Sequence, residues 1–207
     1  MKCLVLSLLL CMSLCAHTQL HLAVKAGPQT ASARYTRMGQ KISTNQVTSF
    51  YAGISAKVYF DDRVAFVTGM QYSGRGFSVK TLPGDTQRTY HLNYLDIPLL
   101  LQVDFSKQKG KGLYCRVGPA LGIGVSGKEI YTGASGNEIR RKAILSVTGN
   151  YFGLFDASLN AVLGCHITPH LFAEAAYTYG IGNINNDPDG PNIKSRVLSA
   201  GVGWWFK

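Results

Sequence analysis

The charged residues best placed for chemistry share one face of a repeating pattern. They are Lys25, Lys57, Arg75, Asp96, Asp104, Arg116, Asp156 and Glu174, with Tyr51, Tyr59, Tyr94 and Tyr114 between them. Four cations and four anions on one face can neutralise one another in a narrow interior, where an unpaired charge is costly. We therefore expect an interior ion-pair network rather than an active site.

Few residues are arranged for catalysis or metal binding. His21, His91, His166 and His170 are scattered near predicted strand ends, without the spacing of metal ligands. A lipid hydrolase would need a serine activated by a histidine. Ser78 could lie near His91 on the neighbouring strand, but no carboxylate is evidently placed to orient that histidine. We expect no catalytic residue, no cofactor and no metal ion.

One loop resembles the opening of a calcium-binding loop. The pattern is Asn185-x-Asp187-x-Asp189-Gly190. A calcium loop of this kind needs a bidentate Glu at its twelfth position, and Arg196 stands there. We expect a polar turn, and the sequence leaves open whether loop 182–193 binds a cation.

Two predicted loops are basic, in a chain with 21 Lys and Arg against 11 Asp and Glu. The first contains Arg34, Arg37 and Lys41, and the second contains Arg140, Arg141 and Lys142 together with Lys128, Glu129 and Glu138. Clustered cations suit phosphate groups, so lipopolysaccharide is one candidate partner. Ordinary solvated loop charge is the alternative. Residues 1–18, described next, predict export from the cytoplasm, and that location does not support nucleic-acid binding.

Residues 1–18 have the pattern of a cleaved secretory signal. A basic start precedes an apolar run from Cys3 to Cys15, and small residues lie before Gln19. The run is too short for a membrane-spanning helix, which needs roughly 20 residues. Leu14 before Cys15 argues against a lipoprotein. The predicted mature chain is a single domain over residues 19–207.

Cys115 and Cys165 remain in the predicted mature chain. They share the outward face and the same height on consecutive antiparallel strands, so we expect them to be near neighbours. A disulfide requires Cα atoms within about 7 Å, and the compartment is oxidising. We expect free, lipid-facing thiols, although the sequence does not decide whether the two are bonded.

Alternation with period two dominates the chain after residue 19, which is typical of strands with two different faces. Eight segments show it, near residues 20–28, 48–60, 64–77, 90–105, 112–125, 154–167, 170–181 and 194–207. Most reach the roughly 9–11 residues of a tilted transmembrane strand. Short turns at 61–63, 106–111 and 168–169 alternate with long loops at 29–47, 78–89, 126–153 and 182–193. This pattern predicts an all-β fold, an eight-stranded antiparallel up-and-down transmembrane β-barrel.

The apolar face of these segments carries aromatic residues near the strand ends. They are Phe50, Phe60, Tyr72, Phe105, Tyr177, Tyr179, Trp204 and Phe206. Such ends suit the aromatic girdles of a membrane barrel. In a soluble barrel such as a lipocalin the apolar face would point inward, and we favour the membrane barrel. Pro98 lies inside a predicted strand, where we expect a bulge.

The C-terminus carries a candidate barrel-assembly signal. Ser199, Gly201, Trp204 and Phe206 have the spacing that outer-membrane assembly machinery recognises, although Lys207 follows the aromatic residue that usually ends such chains. An ordinary amphipathic strand is the alternative interpretation.

Several segments resemble the PorT-like outer-membrane β-barrel family. The strongest is NYLDIPLLL at 93–101; GPALG at 118–122, YTYGIGNI at 177–184 and the end of the chain at 201–206 are also similar. The resemblance covers most of the predicted mature chain. It implies an eight-stranded barrel in a Gram-negative outer membrane, usually with no assigned activity. One relative is implicated in protein secretion, but no residue carries that role over.

Taken together, these features predict a small, monomeric outer-membrane barrel with a plugged interior. We expect a structural, binding or envelope-assembly role through its loops and rim, without catalysis. The expected partners are membrane lipid, lipopolysaccharide, the barrel-assembly machinery and an envelope protein that the sequence does not identify. A barrel enzyme acting on envelope lipids and a soluble lipocalin-like carrier are the alternatives.

Overall fold

The computed structural model describes residues 20–81, 86–106, 108, 111–133, 136–147, 152–187 and 190–206. The predicted signal at 1–18 lies outside the described residues. Across these ranges the structure contains no helix long and apolar enough to cross a membrane.

The described residues form thirteen strands. They are β1 (His21–Arg37), β2 (Gln40–Ile42), β3 (Thr44–Asn45), β4 (Val47–Tyr59), β5 (Val64–Thr81), β6 (Thr86–Asp104), β7 (Gly112–Thr132), β8 (Glu138–Lys142), β9 (Leu145–Ser146), β10 (Phe152–Gly153), β11 (Phe155–His166), β12 (Leu171–Gly180) and β13 (Asn192–Phe206).

Eight of the strands in the described ranges close into a ring. Its order is β1, β4, β5, β6, β7, β11, β12 and β13, and each strand is antiparallel to the next. The ring closes where β13 pairs with β1, from Leu22 opposite Phe206 to Thr36 opposite Asn192. The predicted eight-stranded antiparallel up-and-down barrel is confirmed.

The barrel exposes apolar side chains and buries charged ones. Large hydrophobic residues that face outward include Leu22, Val24, Phe50, Ile54, Met70, Leu99, Leu101, Leu113, Val117, Leu121, Phe155, Leu159, Leu163, Leu198, Val202, Trp204 and Phe206. The fully buried side chains include Arg116, Asp104 and Asp156. A continuous apolar exterior around a polar interior suits lipid rather than water. The alternative of a soluble barrel with an apolar interior is therefore wrong.

The predicted long loops are partly strand. β1 continues to Arg37 and β7 to Thr132, beyond the predicted ends at 28 and 125. Alternation fades in these extensions because the outward face meets water rather than lipid there and can be polar, although backbone pairing continues. The predicted loops at 29–47 and 126–153 are corrected accordingly.

The predicted loop at 78–89 is also mostly strand. β5 and β6 stay paired until Thr81 lies opposite Thr86, which leaves a short connection at 82–85. The predicted loop at 182–193 is nearly right, because β13 begins at Asn192.

Pro98 does not cause the predicted bulge. It lies opposite Ala120 in the same register that pairs Leu101 with Val117. Proline has a φ near that of extended backbone, so the strand loses one donor without needing an extra residue. The prediction at this position is wrong.

The bulge lies in β7 instead. Asn93 pairs with Ser126 while Tyr94 pairs with Gly124, so Val125 is an extra residue in β7. Val125 and Ser126 are both exposed, and the buried position moves to Gly127. Because the bulge places two consecutive residues on the outward face, inward positions change from even-numbered to odd-numbered residues beyond it. Odd-numbered residues of β7 therefore face outward before the bulge and inward after it.

A hydrophobic cluster closes the barrel at the end where the long strands extend. It contains Ala33, Phe77, Val79, Leu92, Tyr94, Ala143, Ile184 and Ile193, with Leu145 and Phe152 packed against it. Leu145 and Phe152 come from the parallel pair β9 and β10 in the connection between β8 and β11. Gly124 makes room for this insertion, because a Cβ there would lie 3.0 Å from Leu145 Cδ1. β9 and β10 thus help to fill this end of the barrel, its mouth.

We predict that removing residues 199–207 abolishes barrel formation. β13 pairs with both β12 and β1, so the truncation opens two strand edges that need partners in lipid. The folded form should disappear from a heat-modifiable gel migration assay. A variant lacking only Lys207 is the control and should retain the folded band. A folded band from the longer truncation would contradict the closure argument.

Candidate functional site

Glu174 is the centre of the first interior ion cluster. Lys25 Nζ donates to its Oε1 at 2.9 Å, and Arg116 Nη1 donates to its Oε2 at 2.8 Å. The Tyr114 hydroxyl lies 3.4 Å from the same Oε2. Both carboxylate oxygens are therefore engaged by opposite charge, which is what makes a buried carboxylate tolerable.

Arg116 links this carboxylate to a second one. Its Nε donates to Gln102 Oε1 at 2.7 Å, and Gln102 Nε2 donates to Asp104 Oδ1 at 2.6 Å. The other oxygen of Asp104 accepts from the Tyr59 hydroxyl at 3.0 Å, and Lys57 Nζ donates to Tyr59 at 3.0 Å. Lys57 therefore reaches Asp104 through a tyrosine rather than by a direct ion pair.

Arg75 organises a second ion cluster nearer the plugged mouth. Its Nη2 lies 2.6 Å from Asp96 Oδ1, and its Nη1 contacts Asp156 Oδ2. The Ser195 hydroxyl also donates to Asp156, at 2.9 Å. The guanidinium carbon lies 4.8 Å from the centre of the Tyr94 ring, within the range of cation–π attraction.

The lumen between these clusters is nearly full. A Cβ at Gly164 would overlap the ring of Tyr114, so the glycine makes room for the tyrosine. A cavity of about 30 Å³ remains between Lys25, Tyr51 and Asp96, which has room for about two water molecules. The interior is plugged by its own side chains.

The structure places all eight charged residues singled out in the sequence inside the barrel. Sequence reasoning missed three residues that complete the network, namely Gln102, Ser195 and Trp205. Trp205 lies 4.2 Å from Lys57 Nζ, measured to the ring centre. Each of the three lies on the inward parity of its strand, so the alternation could have identified them.

The extended strands form an open cup above the hydrophobic cluster that closes the barrel. One of its clefts, of about 430 Å³, is lined by Tyr35, Arg88, Tyr90, Glu129 and Phe152 among others. The reversed parity after the β7 bulge explains why Glu129 points into it. Burial raises the pKa of the Tyr90 phenol above its usual value, and the nearby Glu129 carboxylate raises that pKa further. The half-exposed Arg88 lies 3.9 Å from Glu129, a distance and exposure at which an ion pair contributes little.

The rim cations do not form one site. All six are exposed: Arg34, Arg37, Lys41, Arg140, Arg141 and Lys142. The first three lie on the β1–β2 hairpin and the others on β8, which pairs only with β7 among the described strands. Arg37 lines a second cleft of about 420 Å³ in the cup. The exposed pair of Arg140 and Glu138, at 3.1 Å, adds little stability.

The candidate serine and histidine are not arranged as a nucleophile and its base. Ser78 lies opposite Thr89, and its hydroxyl accepts hydrogen bonds from Thr89 and Gln87. His91 lies opposite Gly76, two positions away. In the described part of the chain, no group of three or more His, Cys, Asp or Glu could hold a metal ion.

The loop that resembles a calcium site holds itself together. Asn183 Oδ1 accepts from the backbone N–H groups of Asn185 and Ile193, at 3.1 and 2.8 Å. Asn185 Nδ2 donates to the Pro191 carbonyl at 2.9 Å. Asp189 lies outside the described residues. The described part of this loop is a hydrogen-bonded polar turn.

The residues of the candidate assembly signal lie along the final strand. Trp204 and Phe206 face outward, each about half exposed. The ring of Trp204 stacks on His170, with 5.3 Å between ring centres and 14° between planes. Gly201 faces the interior, where a Cβ would overlap the Tyr51 hydroxyl. The Ser199 hydroxyl lies 3.5 Å from the Ala176 carbonyl oxygen.

Cys115 and Cys165 are both free thiols. Cys115 lies opposite Leu163 and Cys165 opposite Leu113, so the two cysteines are diagonal neighbours on adjacent strands. Diagonal Cα atoms in a sheet lie about 7–8 Å apart, just beyond the reach of a disulfide.

We predict that the protein prepared as residues 19–207 keeps both thiols when oxidants are absent. Intact mass of the unreduced protein, after alkylation in denaturant, should show two added labels. The Cys115→Ser variant should take one label and serves as the control. An unlabelled wild-type protein that is 2 Da lighter than its reduced form would contradict this prediction.

We predict that the Glu174 cluster contributes strongly to stability. Arg116→Met or Glu174→Gln should each lower the free energy of unfolding by about 3–5 kcal/mol, because each leaves a buried charge short of a partner. Arg37→Gln, at the exposed rim, should change it by less than about 0.5 kcal/mol. Urea unfolding in lipid vesicles, followed by tryptophan fluorescence, measures these changes.

The double variant Arg116→Met/Glu174→Gln tests the coupling of this pair. Because it removes both charges, it should lose less stability than the two single changes added together. An additive result, or an Arg37→Gln variant as unstable as Glu174→Gln, would show that the network does not act as paired charge.

The chain is similar to several solved structures. Ail, the attachment invasion locus protein of Yersinia pestis, solved with the heparin analogue sucrose octasulfate, matches with a TM-score of 0.51 at 13% identity, covering 91% of this chain and 99% of Ail. Neisserial surface protein A matches with a TM-score of 0.43 at 18% identity, covering 90% of this chain and 97% of that one. OprG from Pseudomonas aeruginosa matches with a TM-score of 0.40 at 11% identity, covering 92% and 97%. The likeness to Ail supports the fold.

No curated protein matches the sequence. The family model described as the outer membrane protein beta-barrel domain matches residues 16–186, which is most of the chain. This match agrees with the eight-stranded ring, its apolar exterior and its charged interior. The protein therefore belongs to the outer membrane protein beta-barrel domain family and is a barrel of the cell outer membrane.

Proposed function

We propose that this protein is a non-conducting barrel with a structural or binding role, carried out at its outer rim and cup. The observation that carries the proposal is the filled interior. Two ion clusters occupy the lumen, and the cluster around Phe77 and Leu92 closes the mouth above them. An eight-stranded barrel is only wide enough for its own side chains, unlike a porin with 16 or more strands.

We propose that the protein is not an enzyme. The support is local: Ser78 bonds to Gln87 and Thr89, and His91 lies two register positions away from it. The interior carboxylates are held by cations in a lumen without room for substrate. These arrangements disfavour an enzyme acting on envelope lipids.

We propose that lipopolysaccharide is a partner through the exposed cations of the rim, those of β1 and β2 and those of β8. Guanidinium and ammonium groups bind phosphate oxygens strongly, and the extended hairpins carry these cations beyond the apolar band. The Ail structure contains a polyanion, a heparin analogue, and so gives an example of anion binding on a barrel of this fold.

We further propose the route by which the barrel reaches its membrane. Residues 1–18 would be removed as a signal, and residues 19–207 would form one monomeric barrel domain. The barrel-assembly machinery would recognise the final strand through Trp204 and Phe206, whose outward exposure supports this role. The motif at 93–101 favours a PorT-like subgroup of the family. An envelope protein partner is compatible with the cup, whose clefts are large enough for a side chain or loop.

We predict that the purified protein conducts no large, stable current. In planar lipid bilayers it should show no steps of porin size, because paired charges and the hydrophobic plug occupy its lumen. A trimeric porin handled in the same detergent is the positive control. Reproducible porin-sized steps from heat-modifiable, folded protein would overturn the non-conducting role.

A further inference from the structure

We propose a phosphate-binding ledge on the outer wall of the barrel that holds an outer-leaflet lipopolysaccharide molecule by its lipid-proximal phosphates. It is formed by Arg34, Lys41, Lys194 and Arg196, which we call the wall cations. Two of them, Lys194 and Arg196, belong to neither predicted basic loop. This inference rests on the proposed lipopolysaccharide partnership and assigns it to one place.

The strand register brings the wall cations together. Arg34 lies directly opposite Lys194, and Arg196 lies opposite Ser32, one outward position nearer the apolar band. Lys41 lies opposite Thr36, one outward position farther out. Residues directly opposite in a sheet share a face, and this is the face that carries exposed Leu22 and Val24 lower on β1. The four cations thus occupy three successive outward positions on β1, β2 and β13.

The ledge begins where the apolar band ends. The next outward position below Arg196 is Leu198, which is 60% exposed, and Tyr177 lies opposite it. Tyr179 lies opposite Arg196, whose guanidinium carbon is 5.8 Å from the centre of the tyrosine ring. Tyrosine belts mark the headgroup level of outer-membrane barrels. The wall cations therefore stand at headgroup height, directly above a surface that acyl chains cover.

No carboxylate in the described part of the chain neutralises the charge of the ledge. Within the described ranges, no carboxylate forms an ion pair with any of the four wall cations. On β8, by contrast, Arg140 is paired with Glu138. Outward positions two residues apart are separated by about 6.6 Å along a strand, so the ledge spans about 13 Å. That length suits a headgroup with more than one phosphate.

The geometry favours a lipid over a free phosphate ion. The ledge lies on the outer wall, and no wall cation lines either of the two clefts of the cup, so a small ion would remain in contact with water on most sides. A phosphorylated glycolipid can place its phosphates on the wall cations while its acyl chains cover Leu198, Val202 and Tyr177. It therefore gains ionic and apolar contacts at the same time. Arg37, which lines the cup, is not part of this surface.

The test compares two triple variants that remove equal charge. The ledge variant is Arg34→Gln/Lys194→Gln/Arg196→Gln, and the control is Arg63→Gln/Lys80→Gln/Lys111→Gln, at exposed cations outside the rim set. Both alter exposed or half-exposed side chains, and a heat-modifiable gel band establishes that each is folded. Dissociation constants are measured in detergent by native mass spectrometry with three probes: bisphosphorylated lipid A, the same lipid without phosphates, and sodium pyrophosphate.

We expect the ledge variant to bind bisphosphorylated lipid A at least about tenfold more weakly than wild type, since each lost charge-assisted contact is worth about 1.5–3 kcal/mol. The control variant should change less than about twofold. Wild type should prefer the phosphorylated lipid by a similar factor, and pyrophosphate at millimolar concentration should not displace it.

The outcomes separate this inference from the function on which it rests. Unchanged affinity of the ledge variant, with wild type still preferring the phosphorylated lipid, would overturn the ledge but support binding by the other rim cations. Displacement by pyrophosphate would overturn the choice of a lipid over a free phosphate. Equal affinity for phosphorylated and phosphate-free lipid A would overturn both the ledge and the proposed partnership.

Discussion

The pairing of Glu174 with Lys25 and Arg116 is the contact around which the closed barrel is organised. A ring of strands in lipid must turn its polar faces inward, and in an eight-stranded ring the interior is only wide enough for the side chains of opposite walls to meet. Charges confined in this way are tolerable only when each has a partner. One carboxylate from β12 joins cations on β1 and β7, and so ties together strands that are distant in sequence. The glycines that face the network follow from the same shortage of space.

Much of this could be predicted from the sequence because lipid imposes a strict alternation. Positions such as Leu163 and Leu198 must be apolar, and the residues between them are free to be polar, so strand and face follow from parity alone. The eight interior charges were identifiable for this reason. Their partners were not, because parity assigns a face but not a neighbour across the lumen. The linkage of Lys57 to Asp104 through Tyr59 depends on shear and side-chain length, which no local pattern records.

The predictions from the sequence failed mainly in the parts of the strands that extend beyond the apolar band. Beyond the apolar band both faces of a strand can be polar, so β1 and β7 continue as strands through sequence that has lost its alternation. The wall cations show the same effect. Lys194 and Arg196 lie in a predicted strand, whereas Arg34 lies in a predicted loop, and only the register of β1 with β13 brings them to one surface. In this half of the molecule, how far the strands stay paired decides which charged side chains come together on one surface.

The extra residue at Val125 sets the phase of everything beyond it on β7. Because side chains alternate strictly, a slip of one residue in register exchanges the two faces of a strand. The bulge takes up one residue, so Glu129 faces the cup and Lys128 faces away from it. If β7 instead paired regularly past Val125, with the same sequence and without the bulge, lysine would face the cup and glutamate the surroundings. The electrostatic sign of the mouth therefore depends on where the strand accommodates its extra residue, and not only on which residues the strand contains.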